Sequence, residues 1–354
     1  MSPGKKICFL THNLKQDNGA GVFSSRLVSG LFNFETFVLT HEELLPLWRF
    51  FRKLAVIKRC DLIHALDAFP YGVLAVFAGK LFRNKKVIIT AVGTGAVNRL
   101  YHPFYSLFLK WAYRNASRVV AISNFTKSEI LKKVPNLKIE VINHGVDFEK
   151  YNTKDTSLYA NDTNKFKPYI LSVGTLRWRK GYHRSISAFA LVSKVFPNLK
   201  YVIVGKRYKD DYYNRLKLEI RDLKLEGRVI ILDNINEEGV LIQLYKNAEL
   251  FCLMSQTANH DMEGFGLVFL EAAAAGLPVV GTRGSGIDDA VSEGKNAFLV
   301  EPRDEKACAE AIKSILEKPD LRINMSKESL KLAASFSWEK KIGEYSELYK
   351  NIFI

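Results

Sequence analysis

Cysteine is scarce in this chain, with four in 354 residues. Cys8, Cys60, Cys252 and Cys308 lie far apart and form no Cys-x-x-Cys pair. That argues against a zinc knuckle and fits a reducing compartment. A basic segment followed by a long apolar core is missing from the N-terminus. Met1–Lys6 runs straight into a strand-like Ile7–Leu10, so no secretory signal is expected. No run of about 20 apolar residues occurs. The longest, Phe265 to Gly281, is interrupted by Glu271 and by Gly276, Leu277 and Pro278. The expectation is a cytoplasmic chain that does not span a membrane. Apolar residues make up 47% and charged residues 25%, which excludes the disordered, collagen-like and low-complexity classes. The length suits two domains of roughly 100–200 residues each.

Negative charge is short in the first half. Residues 1–160 hold 23 Lys and Arg against 11 Asp and Glu, whereas residues 161–354 hold 29 against 26. Most of the net +15 therefore sits in the first half. A basic face attracts phosphate in nucleic acid, anionic lipid or nucleotide-linked substrates, and charge alone does not choose among them.

Short apolar runs alternate with longer amphipathic stretches. Strands are expected at Ile7–Thr11, Thr36–Thr40, Leu62–Leu66, Val87–Val92, Val119–Ile122 and Ile139–Ile142. The second half repeats the grammar at Tyr169–Val173, Tyr201–Val204, Val229–Leu232, Leu250–Met254, Pro278–Gly281 and Phe298–Val300. Helical patterns fill the gaps, which predicts an α/β chain with parallel sheets covered on both faces. A polar stretch, Tyr151–Lys167, reads as a linker. The division is an N-terminal Rossmann-like domain, 1–160, and a C-terminal one, 161–337, with a cleft between them. A last helix, 338–354, either caps the nearer domain or crosses back to the first. Ligands in such sheets bind beyond the carboxyl ends of the strands.

The segment from Glu263 through Gly264, Phe265, Gly266 and Leu267 to Glu271 carries the strongest chemical signal. The glycines leave backbone open to a ligand, and a helix start with free amides is an anion site. A carboxylate accepts two hydroxyl hydrogen bonds at once, which suits a vicinal diol. Glu271, in an otherwise apolar helix, needs a partner if buried. A second element, Gly174, Thr175, Leu176, Arg177, Trp178, Arg179, Lys180 and Gly181, places three cations just after a strand end, where a diphosphate would need neutralising. The bland alternatives are a solvated helical Glu and a solvated basic turn.

The Glu-x7-Glu segment resembles the donor-binding motif of retaining glycosyltransferases of family 4, which have the GT-B fold. Other pieces are similar to that family, in order, along nearly the whole chain. They are Asn18-Gly-Ala-Gly21, Ala121-Ile-Ser-Asn-Phe-Thr-Lys127, Ile142-Asn-His-Gly-Val-Asp147, Gly174 to Gly181, and Phe336-Ser-Trp-Glu339. The resemblance implies two doubly wound domains and a C-terminal helix that crosses back to the first. It implies that Glu263 contacts the donor sugar and that Glu271 holds the ribose. Amides of Phe265, Gly266 and Leu267 would bind the diphosphate, and Lys180 would neutralise the leaving phosphate. Gly19 and Gly21 would let the first domain's backbone approach. Two positions depart from the family. Thr175 stands where an Arg is usual, and Arg177 or Arg179 is the suggested substitute. Val92 stands where a His is frequent, and Gly93 and Gly95 would present backbone to the sugar instead.

The implied reaction is retaining transfer of a hexosyl group from a nucleoside diphosphate sugar, with no cofactor and no metal. Asp210–Asp211 and Asp288–Asp289 match no metal-ligand pattern and read as surface or helix-start residues. His64, His144 and His260 have no assigned role. The stretch Leu47–Arg59 mixes Trp48, Phe50 and Phe51 with five cations, and Tyr101–Arg118 is similar. Such helices can lie on an anionic bilayer, which fits a lipid-linked or cell-envelope acceptor, such as a lipopolysaccharide precursor, at the inner face of the cytoplasmic membrane. The alternative is that these aromatics fill the core. A GT-B nucleotide-sugar epimerase and a non-enzymatic nucleic-acid binder are the competing functions. The second lacks a recognisable binding motif. A nicotinamide dehydrogenase is disfavoured because Val92–Val97 lacks the third glycine and follows the fourth strand.

Overall fold

Both halves of the chain build a six-stranded sheet in which every pairing is parallel. The computed structural model describes residues 4–15, 19–83, 85–152, 163–235, 237–258 and 260–353. The first sheet holds β1 (Lys6–Leu10), β2 (Glu35–Leu39), β3 (Leu62–Ala65), β4 (Lys86–Ala91), β5 (Arg118–Ala121) and β6 (Ile139–Val141). The second holds β7 (Tyr169–Val173), β8 (Lys200–Val204), β9 (Val229–Leu232), β10 (Leu250–Leu253), β11 (Val279–Thr282) and β12 (Ala297–Val300). All twelve expected strands are present, displaced by a residue or two at most. Central strands are mostly apolar because helices cover both faces, and β3, β7, β10 and β11 are buried at every residue.

Strand order decides where ligands can enter. The first sheet runs β2-β1-β3-β4-β5-β6, and the second β12-β11-β10-β7-β8-β9. The direction of winding reverses between β1 and β3 in one and between β7 and β10 in the other. At such a switch point the loops leaving the two strands diverge to opposite faces and open a crevice at the carboxyl edge.

The chain forms two compact units, Met1–Gly145 with Trp338–Ile354, and Val146–Ser337. The division expected at 160/161 lies within 153–162, outside the described residues. Helix Phe148–Asn152 packs on helices Glu238–Asn247 and Leu267–Ala274 of the second unit.

The C-terminal helix, Trp338–Phe353, belongs to the first unit. Its Trp338, Tyr345, Leu348 and Tyr349 join Ile7, Phe9, Phe23 and Leu27 in one core cluster. His64 ties this helix to the sheet. Its Nδ1 lies 2.8 Å from Tyr349 Oη and its Nε2 2.8 Å from Thr90 Oγ1. Burial pushes the imidazole down to about 3, so it stays neutral and structural. His144 is buried against Phe23 and Trp338, and burial lowers it to about 4.

Candidate active site

The switch point of the second sheet gathers the charged residues that the sequence singled out. After β7 the chain makes a helical turn, Trp178–Lys180, which brings Arg179 and Lys180 toward the segment that follows β10. Lys180 Nζ donates to Glu263 Oε2 at 2.5 Å, and Arg179 Nη1 donates to the same oxygen at 2.8 Å. Arg179 Nε also lies 3.2 Å from Asp261 Oδ1. The Glu263 side chain is 11% exposed and that of Lys180 8%. Burial alone would favour the neutral acid. The two cations and their hydrogen bonds outweigh it and hold the Glu263 carboxyl at about 2. Glu263 is therefore an anion at neutral pH and cannot serve as a general acid there. Burial lowers Lys180, and Glu263 opposes that shift.

Backbone contacts lock the two loops together. Gln256 N–H donates to Arg179 O at 2.7 Å, and Gly286 N–H donates to Glu263 O at 2.9 Å. Tyr182 Oη donates to Gly174 O at 2.5 Å, pinning the end of β7. Arg177 points elsewhere, with its guanidinium stacked 3.6 Å from the Tyr208 ring centroid. Thr175 is exposed. Of the two arginines suggested to replace the family's cation, Arg179 is the one in the cluster.

The helix after Glu263 begins at Leu267. Gly266, at φ +88°, is its N-cap, a left-handed conformation that disfavours any side chain. Among the described residues no side chain caps the helix, and the Phe269 amide donates to Gly266 O at 2.9 Å. Gly264 and Phe265 are buried in the turn before it, with the Phe265 ring 6.1 Å from that of Phe336.

Glu271 lies farther along the same helix. Tyr245, on helix Glu238–Asn247, donates from Oη to Glu271 Oε2 at 2.8 Å. Tyr151, buried on helix Phe148–Asn152, lies close enough to the same carboxylate to act on its charge. Burial raises the Glu271 carboxyl, opposed by the Tyr245 hydrogen bond, the Lys150 charge, Tyr151 and the Lys180 charge. The buried carboxylate has its required partners, and they are tyrosines rather than cations. Neither tyrosine was marked in the sequence. A buried acid in an apolar helix demands donors, but nothing local says which distant residue supplies them.

The residues and their order match known patterns. That for glycosyl transferases group 1 covers residues 154–332, and that for glycosyltransferase family 4 covers 12–150. The chain belongs to the glycosyl transferases group 1 family. It is 25% identical, over 82% of its length and 75% of the relative's, to N-acetyl-alpha-D-glucosaminyl L-malate synthase of Bacillus anthracis. It is 27% identical, over 82% of its length and 69% of the relative's, to a glycogen synthase of Mycobacterium tuberculosis. Among solved structures, Anabaena HepE in complex with UDP and glucose superposes with a TM-score of 0.82 at 20% identity, covering 98% of this chain and all of that one. The fold of this glycosyltransferase is thus GT-B.

The glycosyltransferase's first unit places its glycines as follows. Gly19 opens helix Gly19–Gly30, and Gly21 packs where a side chain would overlap the Lys15 carbonyl. Asn18 lies outside the described residues. Gly93, at φ +62°, precedes the short helix Thr94–Asn98. A side chain at Gly95 would stand 3.0 Å from Asp67 Oδ2, so this glycine makes room for a carboxyl the sequence did not mark.

The basic helices of the glycosyltransferase are split. Phe50 and Ile57 of Leu47–Arg59 are buried, as are Leu109 and Tyr113 of Tyr105–Asn115. Trp48, Phe51, Leu107, Phe108 and Trp111 are exposed. The aromatics therefore fill the core only in part. Among the described residues no helix is long and apolar enough to cross a membrane. Asp210 and Asp211 begin helix Asp210–Asp222, and Asp288 and Asp289 lie in the first turn of Ile287–Ala290.

Proposed function

We propose that this glycosyltransferase moves a hexosyl group from a nucleoside diphosphate sugar to a lipid-linked or saccharide acceptor, with retention and without a metal. The observation that carries the reading is the ion cluster made by Glu263, Lys180 and Arg179 at the switch point, with Glu271 on the helix that follows Glu263. The sugar lies against Glu263, the diphosphate on the amides of Phe265, Gly266 and Leu267, and the ribose diol on Glu271. A uridine donor is favoured by the UDP in the HepE structures.

The chemistry follows from the charges. The bond from the anomeric carbon to the diphosphate breaks, and a bond to the acceptor oxygen forms on the same face. Negative charge grows on the departing phosphate, where Lys180, Arg179 and the helix amides stabilise it. An ionised Glu263 stabilises the oxocarbenium-like sugar and supplies no proton. The acceptor's proton passes to the leaving phosphate. The exposed Trp48, Phe51, Phe108 and Trp111, beside Arg49, Arg52 and Arg114, support a peripheral membrane position at the inner leaflet.

Thermal melting with UDP, GDP and ADP, with Glu271→Ala alongside, tests the donor site. A ligand at 100 times its Kd stabilises by about 2.7 kcal/mol. A shift with one nucleotide series, weakened in the variant, is expected. No shift with any of them in a folded sample overturns the reading. Co-sedimentation with phosphatidylcholine vesicles, with and without phosphatidylglycerol, tests the membrane part. Binding only to the anionic vesicles is expected, and no binding to either removes that part.

A further inference from the structure

The first sheet has its own switch point, and an unassigned set of polar groups surrounds it. His12 lies two residues beyond β1, His41 two beyond β2 and Asp67 two beyond β3. Their loops meet at the carboxyl edge, where His41 N–H donates to His12 O at 3.1 Å. Tyr71, in the helical turn Ala68–Gly72, sits beneath them and is 3% exposed. Its hydroxyl lies 3.1 Å from His12 Nδ1 and 2.8 Å from His41 Nδ1. The two imidazole centroids are 5.0 Å apart.

One phenol bridging two imidazoles constrains their protons. Tyr71 has a single O–H, with no other acceptor recorded among the described residues. It donates to one Nδ1 and accepts from the Nδ1–H of the other. When both imidazoles are unprotonated at one nitrogen, this bridge requires opposite tautomers. One Nε2 is a bare acceptor and the other carries a proton. A donor and an acceptor side by side complement a hydroxyl, which needs both. A phosphate needs donors only.

Asp67 adds a third group. Its Oδ1 accepts from Ala68 N at 2.7 Å, and its Oδ2 faces the space left by Gly95. Burial pushes this carboxyl up to about 7, with only the Ala68 hydrogen bond opposing. Glu263 is unlike it, because two cations hold that carboxyl down. A carboxyl without a cation, near half protonation at neutral pH, can donate to or accept from a hydroxyl.

We propose that His12, His41 and Asp67 form a hydroxyl-recognition site for the saccharide acceptor at this switch point, with Tyr71 as the residue that positions both imidazoles. The proposal rests on the glycosyltransferase reading above.

Saturation-transfer NMR tests it, using the methyl glycosides of glucose, galactose, mannose and N-acetylglucosamine as probes with UDP present. At least one glycoside is expected to bind the unmodified protein. Asp67→Asn and Tyr71→Phe are each expected to weaken that glycoside about three- to tenfold, the range for one hydrogen bond, and to leave UDP unchanged. His12→Gln, at an exposed position, serves if either of the others melts early. Inorganic phosphate displacing the glycoside more readily than a second glycoside does would overturn the hydroxyl assignment. So would UDP binding with no glycoside bound, or glycoside affinity unchanged in every variant. Failure of UDP itself to bind would instead sink the donor reading, and this proposal with it.

Discussion

Tyr245 Oη donates to Glu271 Oε2 at 2.8 Å, and the two residues come from different helices 26 positions apart in the chain. The bond aims one oxygen of the buried carboxylate. Tyr245→Phe is expected to weaken UDP about three- to tenfold, as for a single hydrogen bond. Affinity for 2′-deoxyuridine diphosphate should change less, because that nucleotide lacks one of the two hydroxyls in the proposed ribose contact with Glu271. Isothermal titration with both nucleotides checks this. Equal losses for the two would assign Tyr245 to packing alone.

Acid should release the nucleotide. Burial raises the Glu271 carboxyl, so on acidification it protonates earlier than an ordinary glutamate. The ionised form, which the proposed ribose contact requires, prevails above the raised value and is lost as pH falls through it. The groups acting on it are Tyr245, Lys150, Tyr151 and Lys180. UDP affinity measured from pH 8 downward should fall in that window. In Glu271→Gln it should be weaker at pH 8 and flatter with pH.

Glu263 has the opposite sign. Its carboxyl is held at about 2 against an ordinary 4.5. Its contribution to stability is complete above 4.5 and is lost as pH falls toward 2. Glu263→Gln should remove that acid-side loss. It should also lower stability at neutral pH by about 3–5 kcal/mol, because two buried cations lose their anion. Urea denaturation at pH 7 and pH 4 reads both effects.

Lys180→Ala should affect catalysis more than folding. Arg179 still holds Glu263 in that variant. Turnover should drop by about 10²–10³, as when one donor to developing charge is removed. UDP release from UDP-sugar in single-turnover conditions gives the measurement. An unchanged rate would place the leaving phosphate elsewhere.

Gly286 and Gly284 make a paired test of the turn proposed to hold the diphosphate. A side chain at 286 would stand 2.1 Å from Gly264 O, whereas one at 284 would meet nothing within 4 Å. Gly284→Ala pays only for its positive φ, about 1–2 kcal/mol. Gly286→Ala must push the Gly264–Phe265 turn aside. UDP affinity should fall in the second variant and hold in the first.

Much of this was legible in the residues themselves. Strands such as Tyr169–Val173 and Val279–Thr282 are runs rich in apolar and β-branched residues between turn signals, and burial on both faces makes that pattern local. Glu263 and Lys180 stood out as charges beside glycine after a strand, and Glu271 as an acid in an otherwise apolar helix. The start of the helix at Leu267 was less visible, because the left-handed cap at Gly266 is a backbone property that the apolar pattern runs through. The choice between Arg177 and Arg179 was not local either, since both follow the same strand. Packing on Tyr208 turns one away, and Glu263 draws the other in.

What the chain determines by itself is the alternation of strand and helix and the chemical types at each strand end, because both depend on near neighbours. Strand order belongs to the tertiary structure alone. It is strand order that puts the loops after β7 and β10 side by side, and likewise those after β1 and β3. Tyr245 meets Glu271, and His12 meets Tyr71 across 59 positions, for the same reason. A hydrogen bond between distant residues costs chain entropy that only the folded core offsets, so its partners are named by the fold and not by their spacing.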